Sequence, residues 1–451
     1  MFPEQITAGA RTVTAVARHF AELTADAKHL LATLSVTKRG YFTPTEDEEV
    51  RHLLVSYWQA RNALIELVYQ FKDDEALGRD HRPAAFLVAF AAALVLIDAA
   101  RFLRENLHDR HIVRAKLNEP EPAFGIPEGT YDTVQASLTS PIHAWHLYHA
   151  LQYWEQHQGE LREVGKDSLF TPLMEIIERL KSRLSVDFAT YATARLRLRT
   201  RQLWTAMNRD LLHRAMYGLQ KLAGKVAAHI SVQPLHKPHL PPAVIAQLRE
   251  VLRPGDVLIT RKEHALTNYF LPGYWPHAAL FLGDQSQMEQ LGIAGHANVA
   301  PRWRRLLSGD AAEPRRVLEA MKDGVLIRSL ASPCGVDAIC VLRPQLDESD
   351  IAEALARGLF HEGKSYDFDF DFSRSDRLVC TEVVYRSYEG VGGVQFQLTR
   401  RAGRMTLAAE DLIQMALDRN VFEPLAAFCP QHAQHLLTGK PAEALMRRTH
   451  R

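Results

Sequence analysis

The sequence is poor in cysteine and carries almost no surplus charge of either sign. Its 451 residues include four cysteines, Cys334, Cys340, Cys380 and Cys429, and none forms a C-x-x-C pair. A chain of this length can build a core without disulfide support, so the sparse usage points to a reduced compartment rather than a disulfide scaffold. The formal net charge is +1. That leaves no global field for a polyanion, and no nucleic-acid partner is expected. The opening stretch, MFPEQITAGARTVTAVARHFAEL, lacks the continuous apolar run of a secretory signal and spaces its apolar residues like one face of a helix. A cytoplasmic location is expected, with export by a signal-less route as the alternative. The most apolar run, residues 84–97, ends at Asp98 and Arg101. It falls short of the roughly 20 residues of a bilayer span and is expected as a buried core helix. Metal-ligand sets are also missing. His143, His146 and His149 advance by about 300° per step on a helix and cannot share one ion, and Cys429, His432 and His435 are no better placed. No metal and no cofactor are expected.

What is present is ordinary globular composition, 47% apolar and 24% charged, in a chain too long for one core. Two domains follow. Residues 1–232 have the pattern of an all-α helical bundle. Thr43-Pro44-Thr45-Glu46 is a capping box with proline at the first helical position. Behind it Leu53, Tyr57, Ala60, Leu64, Leu67 and Phe71 recur every three or four residues. Further helical patterns cover about 84–106, 143–160, 167–184 and 186–230. Pro234, Pro238, Pro241 and Pro242 then mark a linker over 233–242. From 243 to 428 the pattern is mixed. A short helix (243–252) leads into strands near 255–260, 277–283, 317–320, 325–329 and 338–343, followed by helices at 349–361 and from about 379. This is an α+β domain. Residues 429–451 are expected as a C-terminal helical tail.

A thiol-dependent acyl-transfer site needs a thiolate, a base, a group to orient the base and donors for an oxyanion. Cys380, in RLVCTEVVY after the polar run SRSD, falls in the first turn of a helix, whose positive end favours thiolate. Read locally, a buried core cysteine remains the alternative. His277 opens a strand and shares a face with Ala279 and Phe281. Glu319, in VLEA on the next strand, can accept from the imidazole if the strands pair, because opposed side chains stand about 5 Å apart. Tyr366, fourteen residues before Cys380 in GKSYDF, offers a phenol as a second oxyanion donor. Tyr269, Phe270, Leu271, Tyr274 and Trp275 surround a Pro272-Gly273 turn just before His277. They are candidates for an acyl or lipid groove, with packing over the domain mouth as the alternative. Arg195, Arg197, Arg199, Arg201, Arg209 and Arg214 crowd one helical region. A solvated basic face and peripheral contact with an anionic membrane are its two readings.

Together GDVLITR, PGYWPHAALFLG, VLEA, GKSYDFDFDF and VCTEVVYRSY resemble the YiiX-like group of the NlpC superfamily, cysteine hydrolases with a circularly permuted papain fold. The resemblance covers about residues 250–415. It implies an antiparallel sheet with helices, in which the histidine strand precedes the cysteine helix. It also implies that Cys380 is the nucleophile, His277 the base, Glu319 the orienting group and Tyr366 the residue beside the oxyanion. Residues 284–316 are longer than a plain hairpin needs, and the helical region lies outside the resemblance, so the substrate stays open. The expected activity is hydrolysis or acyl transfer on an amide or ester, peptide or lipid, through a thioester. The alternatives are a binding or scaffold protein that retains the fold, and a delivered toxin acting on envelope peptides or lipids.

Overall fold

The computed structural model describes residues 2–71, 78–138, 141–181, 238–262, 274–308, 312–401 and 404–450. The chain divides into one unit of residues 1–122 and 126–231 and a second of residues 123–125 and 232–451. The pattern at 186–230, the arginine cluster from Arg195 to Arg214, and Tyr269, Phe270 and Leu271 lie outside the described residues.

The first unit is helical in its described part. Its long helices are α1 (Glu4–Thr33), α2 (Pro44–Gln70) and α3 (Arg82–Leu107), joined by shorter ones such as α4 (Thr171–Lys181). α2 begins as the capping box requires. Glu46 Oε2 accepts from the Thr43 N–H at 2.8 Å, and the Glu46 N–H donates to Thr43 Oγ1 at 3.3 Å. The stripe from Leu53 to Phe71 is buried throughout. α3 is long and apolar enough to cross a membrane. Here α1, α2 and α4 pack against it and residues 84–95 are buried, which is why it is apolar on every side.

The second unit is built on a seven-stranded antiparallel sheet. Helix α5 (Pro242–Val251) precedes β1 (Val257–Arg261), β2 (His277–Gly283), β3 (Arg316–Met321), β4 (Gly324–Ser329) and β5 (Ala338–Pro344). Helix α6 (Glu348–Phe360) follows. A two-stranded parallel pair, β6 (Ser365–Tyr366) and β7 (Arg377–Leu378), leads into α7 (Cys380–Tyr388). The chain closes with α8 (Ala409–Leu417), β8 (Phe422–Phe428), β9 (Leu437–Thr438) and α9 (Lys440–Thr449). The strand order is β9-β8-β5-β1-β2-β3-β4. One face buries Val257, Ile259, Leu280 and Leu318 against Leu355, Leu359 and Val384 of α6 and α7. The other buries Leu258, Phe281, Val317 and Ile339 with Val244 and Leu248 of α5.

Three features differ from the sequence reading. β8 escapes it because Pro424 interrupts the run, and proline demotes a strand signal. The structure takes up the proline where the β8–β5 register shifts, between Pro424 and Ala426. The expected helical tail is part of the sheet unit: β9 pairs with β8, and α9 packs on β8 with Ala442, Leu445 and Met446 buried. Between residues 285 and 307 runs a series of short helices, the first opened by a capping box at Asp284, that puts Met288, Ile293, Val299 and Leu306 into the core, so the added length covers one sheet face.

Candidate active site

Three elements converge on one end of β2. The antiparallel register pairs Leu280 with Leu318. By strand alternation this puts His277 and Glu319 on the same sheet face, diagonal to each other rather than directly opposed. His277 Nε2 and Glu319 Oε1 are 2.7 Å apart. Cys380 is the first residue of α7, behind the extended N-cap Val379. The Cys380 sulfur lies near enough to His277 for each to shift the other's ionisation, and with Nε2 facing Glu319, Nδ1 is the nitrogen left for it. The imidazole therefore stands between carboxylate and thiol.

The electrostatics follow from that placement. Burial works against a charge on His277, but the Cys380 sulfur and the Glu319 carboxylate outweigh it and raise the imidazole to about 10. Burial likewise opposes ionisation of Glu319, yet the bond to His277, then Arg328 and Ser332, bring it down to about 2. For Cys380, burial alone pushes the thiol up. His277 and the backbone N–H groups of Ala278 and Thr381 reverse the direction and hold it below the ordinary thiol value. Both shifts favour the thiolate and imidazolium forms, the state in which a cysteine nucleophile attacks.

Tyr366 lies at the edge of the same cluster. Gly324, at φ +110°, lets the chain at Lys364 approach closely; a Cβ there would stand 2.7 Å from the Lys364 carbonyl oxygen. The Val325 N–H donates to that oxygen at 2.9 Å, docking the Tyr366 segment on β4. Burial, then the negative charges on Cys380 and Asp367, push the phenol well up, so it stays a neutral donor. The buried Asp367 folds the loop beyond by accepting from the N–H groups of Asp369 (3.0 Å) and Asp371 (2.6 Å). Burial first, then Asp369, raise its carboxyl to about 7. Inside this loop Phe370 adopts φ +54°, a left-handed conformation that a bulky residue takes only when its surroundings impose it.

A small pocket, open to solvent, has Cys380 and Thr381 among its lining residues. Trp275, Pro276, Phe370, Leu407 and Ala408 supply much of its apolar wall. Arg401 also borders it, but its guanidinium is held by Asp411 through two bonds of 3.0 and 2.9 Å. Of the aromatic residues singled out before β2, Trp275 is fully buried, its Nε1 bonded to Thr449 Oγ1 at 3.1 Å, and one side of it lines the pocket. Tyr274 is directed elsewhere, its hydroxyl 3.3 Å from the Cys429 sulfur and its ring under the Arg261 cation. It does not line this pocket. Among the described residues no cluster of histidine, cysteine and carboxylate side chains could hold a metal ion.

Sequence reasoning did not find Ser332 and Arg328. Ser332 Oγ donates to Glu319 Oε2 at 2.6 Å, and Arg328 Nε lies 3.5 Å from the same oxygen. Arg328 is the penultimate residue of β4, and its place beside Glu319 follows from the β3–β4 register, in which Glu319 faces Leu326. Ser332 sits in a four-residue helix after β4, and no local pattern marks it.

With this geometry in place, the chain can be compared with known proteins. Residues 251–437 match the family model described as permuted papain-like amidase enzyme, YaeF/YiiX, C92 family. No curated protein and no solved structure matches the chain. The match covers β1 to β8, the first residue of β9 and both helices that flank the site, α6 and α7.

Proposed function

We infer from the similarity of residues 251–437 to a papain-like amidase family with a permuted fold that the chain is a cysteine-type hydrolase with an amide substrate in general. We propose that the chain attacks an amide or ester carbonyl with the Cys380 thiolate and passes through a thioester acyl-enzyme. The observation that carries this reading is the 2.7 Å contact of Glu319 with a His277 that lies beside the Cys380 sulfur at the start of a helix. In the first half-reaction the sulfur adds to the carbonyl carbon. The oxyanion faces the Cys380 N–H, which as a first-turn amide has no partner within the helix, and the Tyr366 hydroxyl. Collapse expels the amine, which takes its proton from the His277 imidazolium. In the second, neutral His277 removes a proton from water, the hydroxide attacks the thioester, and the thiolate leaves. An alcohol or amine in place of water gives acyl transfer by the same steps.

The apolar lining of the pocket beside Cys380 supports an acyl group that is itself apolar, and the pairing of Arg401 with Asp411 leaves little net charge there to select an anion. Each buried methylene contributes about 0.8 kcal/mol. Medium acyl chains should therefore outpace acetyl analogues in kcat/KM on a series of p-nitroanilides and p-nitrophenyl esters, and mass spectrometry should find the acyl group on Cys380. Absence of any adduct with every member of the series, from a protein whose Cys380 alkylates rapidly, would turn the reading towards a binding protein that retains the fold.

A further inference from the structure

We propose that Ser332 is a positioning residue of this site, holding the Glu319 carboxylate in the one rotation that serves His277. The proposal rests on the reading of Cys380, His277 and Glu319 given above. A carboxylate has two oxygens and turns about its last bond unless both are engaged. At Glu319 they have separate duties. Oε1 faces His277 Nε2 at 2.7 Å, and Oε2 receives the Ser332 hydroxyl at 2.6 Å. The Glu319 side chain is 3% exposed, so water does not stand in for a lost donor. Arg328 approaches Oε2 at 3.5 Å, but its Nη2 is committed to Asp323 at 2.5 Å. Arg328 therefore supplies positive potential, whereas Ser332 supplies the short directional bond. That hydroxyl is brought in from outside the sheet, on the short helix Ala331–Cys334, whose Cys334 N–H closes on the Leu330 carbonyl at 3.3 Å. Its seat is packed: Leu330, Pro333 and Cys334 are all buried, so the serine is delivered by a fixed element.

The consequence reaches the thiol through two contacts. Ser332 fixes Glu319, Glu319 stabilises the imidazolium, and the imidazolium stabilises the thiolate. Loosening the first contact should lower the basicity of His277 and raise the pH at which Cys380 ionises. A serine that merely packs the short helix would change stability without moving that pH.

The test is the pH dependence of Cys380 alkylation by iodoacetamide in the full chain, followed by peptide mapping, for wild type, Ser332→Ala, Ser332→Thr and Ser332→Val. No substrate is needed. Thr and Val have nearly the same shape and differ in the hydroxyl, so this pair decides the matter even if Ser332→Ala folds poorly. The expected result is that the ionisation limb moves up by about half to one pH unit in Ala and Val, and stays near wild type in Thr. The downfield imidazolium Nε2–H proton resonance should weaken in the same two variants. Fast wild-type alkylation with the same limb in Thr and Val would overturn the role of Ser332 and leave the catalytic reading standing. Slow wild-type alkylation, with Cys380 no more reactive than Cys340, would overturn both.

Discussion

Cys340 and Cys380 belong to the same hydrophobic core, 0% and 3% exposed, yet their thiols are driven in opposite directions. Cys340 sits in the middle of β5, where burial dominates and nearby Cys429 and Glu410 add to it; its thiol is pushed well above the ordinary value. Cys334, at the end of its short helix, is raised by burial to about 12. Cys380 meets the same burial at the start of a helix, with an imidazolium and two backbone N–H groups against the sulfur, and ends below the ordinary value. Burial in itself therefore distinguishes nothing here. The difference lies in what the surrounding elements aim at the sulfur, and only the end of β2 and the start of α7 aim positive charge.

The largest break in this comparison should come from exchanging the thiols themselves. Cys380→Ala should lower amide or ester hydrolysis by about 10⁴-fold or more. Cys340→Ala should leave kcat/KM nearly unchanged and show instead as a loss of about 1 kcal/mol in denaturant unfolding. Removing the charge that separates the two environments comes next. His277→Ala should reduce turnover by about 10²- to 10⁴-fold and bring the Cys380 alkylation limb to or above the ordinary thiol pKa of about 8.5, so that Cys380 behaves like Cys340. Tyr366→Phe should cost about 10²-fold in kcat with KM and the alkylation limb near wild type, because the phenol acts on the oxyanion and not on the thiolate.

The smallest effect concerns stability. Glu319 is held at about 2 in the folded chain, below its unfolded value near 4.3. Its contribution is therefore full above about pH 4.3 and is lost as pH falls through about 2. Glu319→Gln should be less stable than wild type by a few kcal/mol at pH 6, with the gap closing as the pH approaches 2. A gap constant over that range would mean that the carboxylate is not selectively stabilised in the folded state.

The parts of this site that were legible in the sequence share one property: their elements announce themselves locally. Cys380 follows a polar run and precedes an apolar helical stripe, and His277 opens an uninterrupted strand, so both could be placed on the ends of elements. Glu319 was legible as a strand residue, but its diagonal relation to His277 depends on a register that only the folded sheet fixes. Ser332 was not legible, because its role arises from the packing of a one-turn helix against a neighbouring strand. β8 was hidden by Pro424, and the pocket wall combines Phe370 with Leu407 and Ala408, from segments the pattern left as loop. Trp275 was singled out for a groove and also turned out to be core: its indole is tied to Thr449, and only one side of it meets the pocket.

What sets Cys380 apart from Cys334 and Cys340 is that its surroundings favour the thiolate. The most direct measurement is the rate of iodoacetamide alkylation at each cysteine of the intact folded protein, mapped by peptide mass spectrometry between about pH 5 and 9. Rapid labelling of Cys380 is expected already at about pH 6, with Cys334 and Cys340 inert over the whole range, and loss of the early limb in His277→Ala. Labelling of Cys380 only above about pH 8, with a limb that His277→Ala leaves in place, would contradict that expectation.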